Sequence, residues 1–427
     1  MDFRFYRHFS KIKDSKLLRI SARNSIQVVI QFIIGILKIK ITSIWLGPTG
    51  MALLSQFMNF VQIASNISGA GITGGTTKML AAYSYSPKRI RYTITTSTTI
   101  TIVFSFITSL CIFVLAPHLS QSLMHSQDYT TTFRIAGFFL FFQALTNLSL
   151  AILKGKKNYN TFIKYNIFIV ISSVAILFPF TVAWGIKGAI WAFLLSFLFS
   201  GVFFIKLLKP TWSSFIFFKP IAKRFFGFSL MLFIPITISP VIQIIIRDTI
   251  IQHCSITQAG WWDGINRISL TYTSIIFSSL SLYYQPRITE LVSFSKIKKE
   301  VYDTIKIIMP IVLVGSTSIF LARKLIIPLL FSAEFYEMHN LFLFQCIGDV
   351  LKVISWLFAT VLVMKENIKY YILCELFMAL FRPSIALALI PKYGINSTTL
   401  CYLISNITYL IIIYLAFKYH GKKEHIK

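Results

Sequence analysis

The sequence predicts an all-α integral membrane protein: twelve transmembrane helices in two six-helix bundles, related by a pseudo-two-fold axis along the membrane normal. Three observations carry this expectation. They are apolar runs of bilayer length, a one-sided distribution of Lys and Arg, and landmarks that recur at one offset.

The 427 residues are 56% apolar and 16% aromatic, and only 13% are charged. Soluble domains are about 25% charged, and 41 Phe exceed what a soluble core of this size would hide. A soluble enzyme, a disordered chain and a disulfide scaffold are all excluded. Apolar stretches fall at 24–45, 51–77, 93–116, 135–153, 162–183, 189–205, 226–250, 258–286, 305–322, 341–363, 370–390 and 396–417. Most are near the ~20 residues a helix needs to cross hydrocarbon, and they do not alternate as barrel strands do. The basic start from Arg4 to Arg23 imitates a signal peptide, but the run after it is too long, so it reads as an uncleaved first span.

Twelve crossings put both termini on one side. The segments on that side hold 30 Lys and Arg, and the opposite loops hold 5. The positive-inside rule then places both termini in the cytoplasm. It also accounts for most of the +28 formal charge without invoking nucleic acid. The expected divisions are an N-terminal bundle at 1–208, an interfacial linker at 209–225 and a C-terminal bundle at 226–427. Trp212, Phe215, Phe217 and Phe218 beside Lys219, Lys223 and Arg224 read as a linker lying on anionic lipid.

The repeat rests on three landmarks. Gly50 and Gly260 are 210 apart, Lys156-Lys157-Asn158 and Lys365-Glu366-Asn367 are 209 apart, and Trp184-Gly185-Ile186 and Tyr393-Gly394-Ile395 are 209 apart. An even number of spans per copy gives both copies the same topology, with the substrate path between them.

Seven basic residues remain inside spans: Lys38, Lys40, Lys78, Arg247, Arg267, Lys352 and Arg382. Each costs roughly 2.5–3.5 kcal/mol at mid-helix on insertion scales. Lys38 and Lys78 lie near helix ends and can snorkel. Lys40, Arg247, Lys352 and Arg382 are the candidate lining of an anion-binding cavity, with Arg267 a second-tier member. Asp263 stands i,i+4 to Arg267 and Asp349 stands i,i+3 to Lys352, so each is expected to pair locally. Asp263, Asp349 and Glu375 are also the candidate coupling acids. Gln56, Asn59, Gln62 and Asn66 line one face of the second span, which is rich in Gly. That face reads equally as close helix packing or as a sugar-facing surface. Pro235 and Pro240 are expected to kink the seventh span.

The chemistry of catalysis is missing. There is no Walker A sequence, no HExxH and no GxSxG, and the Cys and His residues show no zinc spacing. No cofactor and no metal are expected, and transport by alternating access is the default.

Several segments carry a family resemblance: Leu46-Gly47-Pro48-Thr49-Gly50, Gly69-Ala70-Gly71-Ile72 with Thr77-Lys78, Gln345 to Val353, and Tyr371 to Glu375. The chain resembles the Wzx-type flippases, in the polysaccharide-transport branch of the multidrug/oligosaccharidyl-lipid/polysaccharide superfamily, and within them the common-antigen flippases. The resemblance implies a MATE-like fold in a bacterial inner membrane. It implies passage of an undecaprenyl-diphosphate-linked oligosaccharide, either common-antigen lipid III or an O-antigen unit, from the inner to the outer leaflet. A polymerase and a chain-length regulator of the same pathway are its implied partners besides the lipid bilayer. The alternatives are a multidrug/cation antiporter of the same superfamily, which would need an acidic cavity, and a membrane glycosyltransferase or polymerase.

The topology has a direct test. Tags at both termini and at Lys156 are expected to read cytoplasmic, and a cysteine at Ser126 is expected to be labelled from outside. Labelling of Lys156 from outside would invert the charge asymmetry and overturn the twelve-span reading.

Overall fold

The computed structural model describes residues 16–208, 218–365 and 367–424, which are almost wholly helical and contain no strand. The helices are α1 (Lys16–Ser68), α2 (Ile72–Ala82), α3 (Pro87–Met124), α4 (Thr130–Gly155), α5 (Tyr159–Leu208) and α6 (Lys219–His253). They continue with α7 (Ile256–Glu290), α8 (Phe294–Leu321), α9 (Arg323–Leu330), α10 (Phe342–Met364), α11 (Ile368–Tyr393) and α12 (Asn396–Glu424).

Among the described residues eight helical segments are long and apolar enough to cross a membrane. Two of them, Ile26–Ser68 and Tyr159–Gly201, are 43 residues long. At about 1.5 Å per residue each is roughly twice the ~30 Å hydrocarbon thickness. Each is interrupted by non-helical backbone, at Gly47 (φ 62°) and at Trp184–Gly185 (Gly185 φ 56°). These helix numbers therefore do not count membrane crossings.

Local chemistry fixes the element ends. Pro87 sits in the first turn of α3, where its missing N–H costs nothing. The Ser255 hydroxyl accepts from the Gln258 N–H at 3.1 Å and starts α7. Gly394 (φ 68°) ends α11. The Lys365 ammonium, just after α10, donates to the Thr289 and Leu291 carbonyls at the end of α7. One expectation is corrected. The expected second span, 51–77, is broken: α1 stops at Ser68, Ala70 and Gly71 take positive φ (46° and 61°), and α2 begins. The seventh span falls within α6, which runs as one helix from Lys219 through Pro235 and Pro240 to His253.

One buried apolar cluster is drawn wholly from residues 41–198, around Phe57 and Phe133, whose rings meet edge-on at 5.3 Å. A second is drawn from residues 276–417, around Tyr284 and Phe417. Two others join the chain ends: Ile39, Met51 and Ala52 of α1 pack among residues 238–401. Large apolar side chains stay exposed, including Phe106, Val114, Ile307 and Leu380. Exposure on this scale suits lipid and not water. Phe218, expected on the lipid surface, stacks on Tyr92 of α3 at 5.2 Å. The rest of the expected aromatic linker, Trp212 to Phe217, lies outside the described residues.

At the end of the molecule that the charge count assigns to the outside, α1 closes against α7 and the 330–334 segment. A Cβ on Gly260 would lie 2.1 Å from the Pro48 carbonyl oxygen, so only glycine permits this approach. Thr49 and Thr257 hydroxyls are 3.3 Å apart. The Trp261 indole N–H donates to the Glu334 carbonyl at 2.8 Å, and the Ser43 hydroxyl donates to the Leu330 carbonyl at 3.0 Å.

Cysteines at Thr49 and Thr257 are therefore expected to form a disulfide under mild oxidation. Adding Gly260→Ala is expected to reduce that cross-link at least several-fold at unchanged membrane level, read on gels. Equal cross-linking in both backgrounds would show that this contact does not depend on the glycine.

Candidate functional site

The intramembrane charges assemble along α7, which presents Asp263, Arg267, Ser269, Tyr272 and Phe277 in succession over about 21 Å of helix.

The first centre joins α1, α6 and α7. Arg247 is 1% exposed. Its Nε donates to Asp263 Oδ2 at 2.8 Å and its Nη2 to Asp263 Oδ1 at 2.6 Å, a bidentate pair. Nη1 donates to Gln56 Oε1 at 2.7 Å. With its amide oxygen turned to the guanidinium, Asn59 accepts from Nη1 and Nη2 at 3.1 and 3.2 Å. The Trp262 ring lies 5.5 Å from the guanidinium carbon. Two sequence expectations fall here. Asp263 does not pair with Arg267, because a guanidinium from α6 fits both carboxylate oxygens at once. Arg247, expected to line an anion-binding cavity with Lys40, has its donors taken by Asp263 and Gln56, while Lys40 is exposed.

Arg267 turns instead to α1. Its Nη2 donates to the Ser55 hydroxyl at 2.9 Å and its Nη1 approaches the Thr42 hydroxyl at 3.5 Å. Lys38 lies within electrostatic reach of it.

The second centre joins α7, α10, α11 and α12 around Asp349, which is 1% exposed. Three hydroxyls hold this carboxylate: Ser269 at 2.6 Å, Tyr402 at 2.7 Å, and Tyr272. Gly348 makes room for the Tyr402 ring, whose nearest atom would be 2.6 Å from a Cβ there. On the face of that ring lies Arg382, its guanidinium carbon 5.1 Å from the centroid. The expected Asp349–Lys352 pair is not formed at contact distance. The hydroxyls occupy the carboxylate, and the Lys352 ammonium lies 6.0 Å from the Phe277 ring centre. Glu375 of α11 accepts from the Tyr409 hydroxyl at 2.7 Å and lies apart from Arg382.

The polar face of α1 divides. Gln56 and Asn59 serve Arg247, while Gln62 donates to Asn66 at 3.2 Å further along. Ser269, Tyr272 and Tyr402 were missed by sequence reasoning. Isolated Ser and Tyr carry no spacing signal.

The profile of a polysaccharide biosynthesis protein family matches residues 50–340. The chain belongs to that family. It is similar to the lipid III flippase of Escherichia coli (strain K12), at 28% identity over 389 residues, covering 88% of this chain and 92% of that protein. Among solved structures it is similar to an inward-facing MATE-family multidrug transporter of the MOP superfamily. There the TM-score is 0.78 at 15% identity, covering 93% of this chain and 95% of that one. An outward-facing MATE-family transporter gives a TM-score of 0.64 at 16% identity, covering 96% and 97%. These likenesses show that the chain has the MATE-type fold.

The first centre makes a stability prediction. Asp263→Ala leaves a buried guanidinium without its carboxylate, a loss of roughly 3–5 kcal/mol. Gln56→Ala is expected to cost about 1.5–3 kcal/mol. The Arg247→Met/Asp263→Leu pair is expected to be far less harmful than the sum of its single changes. Thermal unfolding of the detergent-purified protein checks this, and additive losses would contradict it.

Proposed function

We propose that this protein is a transporter, not an enzyme, and that it flips an undecaprenyl-diphosphate-linked oligosaccharide from the inner to the outer leaflet of a bacterial inner membrane by alternating access. One observation carries the choice of cargo. After local pairing the intramembrane charge balance stays cationic. Asp263 is consumed by Arg247 and Asp349 by hydroxyls. Among the described residues Arg267, Lys352 and Arg382 have no carboxylate within ion-pair distance. Unpaired cations persist in spans when something offsets their desolvation. A diphosphate does so through charge-assisted hydrogen bonds.

The family match and the flippase relative support this reading. The relative favours lipid III as cargo over an O-antigen unit. A multidrug/cation antiporter would also fit the fold of the multidrug MATE-family neighbours, but it meets the wrong charge. In this reading Arg267 and Arg382 contact the diphosphate, with Lys352 behind them. Arg247 becomes a structural clamp, and exposed Lys40 becomes an interfacial anchor. Asp349 and Glu375 remain the candidate coupling acids, whereas Asp263 is locked.

Twelve crossings and two bundles, 1–208 and 226–427 with a linker at 209–225, fit the same reading. The breaks at Gly47 and Gly185 divide the two long segments. Gly185 and Gly394, 209 apart in sequence, share a positive φ, 56° and 68°. The seal of α1 against α7 supports a state closed to the outside, with both termini cytoplasmic. The polymerase and chain-length regulator of the same pathway are the proposed partners.

Rescue of surface polysaccharide in flippase-null strains tests the function. Arg267→Ala and Arg382→Ala are expected to lower rescue at least tenfold at normal membrane levels. Arg→Lys should restore only part, since an ammonium cannot bind phosphate in a bidentate manner. Full rescue by both Ala variants would overturn the assignment of these residues, and failure of the unaltered chain with every repeat unit would overturn the function.

A further inference from the structure

The break between α1 and α2 opens a cavity that none of the intramembrane cations lines. It has a volume of about 350 Å³ and is walled by the end of α1, α2, α4, the start of α5 and α6. That volume lies within the range of small-molecule sites, roughly 300–1,000 Å³. Lys154, beside it, belongs to the segment that the charge count assigns to the cytoplasm.

The lining is chemically specific. Three side-chain amides, Asn66, Asn147 and Asn166, converge on the cavity. Each keeps unused hydrogen-bonding capacity. Asn147 Nδ2 donates to the Ser65 hydroxyl at 3.2 Å, and Asn166 Nδ2 donates to the Phe162 carbonyl at 3.0 Å. These bonds orient the amides and leave their carbonyl oxygens as acceptors. Phe162 offers an aromatic face, on which the Lys154 ammonium rests 4.7 Å from the ring centre. Gly71, at a positive φ of 61°, and Gly74 also line the cavity and place no side chain of their own in it.

Donor–acceptor amides match vicinal hydroxyls, an aromatic face matches the C–H face of a pyranose, and an ammonium matches an acidic substituent. We propose that this cavity is a saccharide-binding site, receiving the sugar headgroup of the cargo on the cytoplasmic side while the diphosphate is held separately at Arg267 and Arg382. The identity of the saccharide as cargo rests on the flippase reading. The division of labour between two sites does not follow from that reading. It also gives the glycine-rich second span its purpose: the span breaks to make room for sugar.

The test uses the full chain in nanodiscs and two soluble probes. One is oligosaccharide released by mild acid from the host's lipid-linked pool, and the other is inorganic diphosphate. Asn166→Leu and Asn147→Leu are each expected to weaken oligosaccharide binding at least tenfold and leave diphosphate binding unchanged. Arg267→Ala is expected to do the reverse. Because Asn147 also holds Ser65, Asn166→Leu and Phe162→Leu keep the test valid if Asn147→Leu does not reach the membrane. Wild-type oligosaccharide affinity in Asn166→Leu and Phe162→Leu would overturn the site. So would a wild-type chain that flips intact lipid-linked cargo but does not bind released oligosaccharide. If the wild-type chain flips no lipid-linked cargo yet loses oligosaccharide binding in these variants, the saccharide site stands and the flippase reading falls.

Discussion

The Arg247–Asp263 pair, closed by Gln56, is the constraint on which the rest of the polar interior depends. A guanidinium in hydrocarbon is tolerable only when its donors are matched, and here Nε, Nη1 and Nη2 all find acceptors. The three partners come from α6, α7 and α1, so the electrostatic requirement of one side chain sets how three helices meet. Removing water from such a pair is costly, and the geometry must be good to offset it. Once it is satisfied, α7 has a fixed rotation, and the residues that follow Asp263 have fixed directions.

That rotation sends Arg267 to the hydroxyls of Ser55 and Thr42, which are good hydrogen-bond partners but carry no charge. It also sends Ser269 and Tyr272 to Asp349. Asp349 is thereby stabilised by neutral donors in place of Lys352, and the lysine is left available. Arg382 couples to the same carboxylate through the two sides of one residue: its guanidinium lies on the Tyr402 ring, and the Tyr402 hydroxyl bonds Asp349. Arg267, Lys352 and Arg382 are thus separated from the acids that could neutralise them, which suits an anionic passenger and not a cationic one.

Glycine sets the closest approaches. At Gly260 it allows α7 to touch the Pro48 backbone, and at Gly348 it admits an aromatic ring. The positive-φ break before α2 is a different use of the same residue, turning a would-be span into a cavity wall.

The sequence by itself determined the membrane setting, the helical class and the list of charges needing explanation. These depend on composition and run length, which the bilayer reads directly, without reference to neighbours. It also identified Gln56 and Asn59 as a polar face and the second span as rich in Gly, but it did not place the break at Ala70 and Gly71. The tertiary structure alone decided who pairs with whom. Asp263 with Arg267 and Asp349 with Lys352 were sound by helical spacing, but in a low-dielectric interior the partner with the better geometry wins, wherever it lies in the chain. Arg247 is 16 residues from Asp263, and Tyr402 is 53 from Asp349. The cavity proposed to take sugar was hidden for the same reason: Asn66, Asn147 and Asn166 belong to three different helices, and only packing brings them to one cavity.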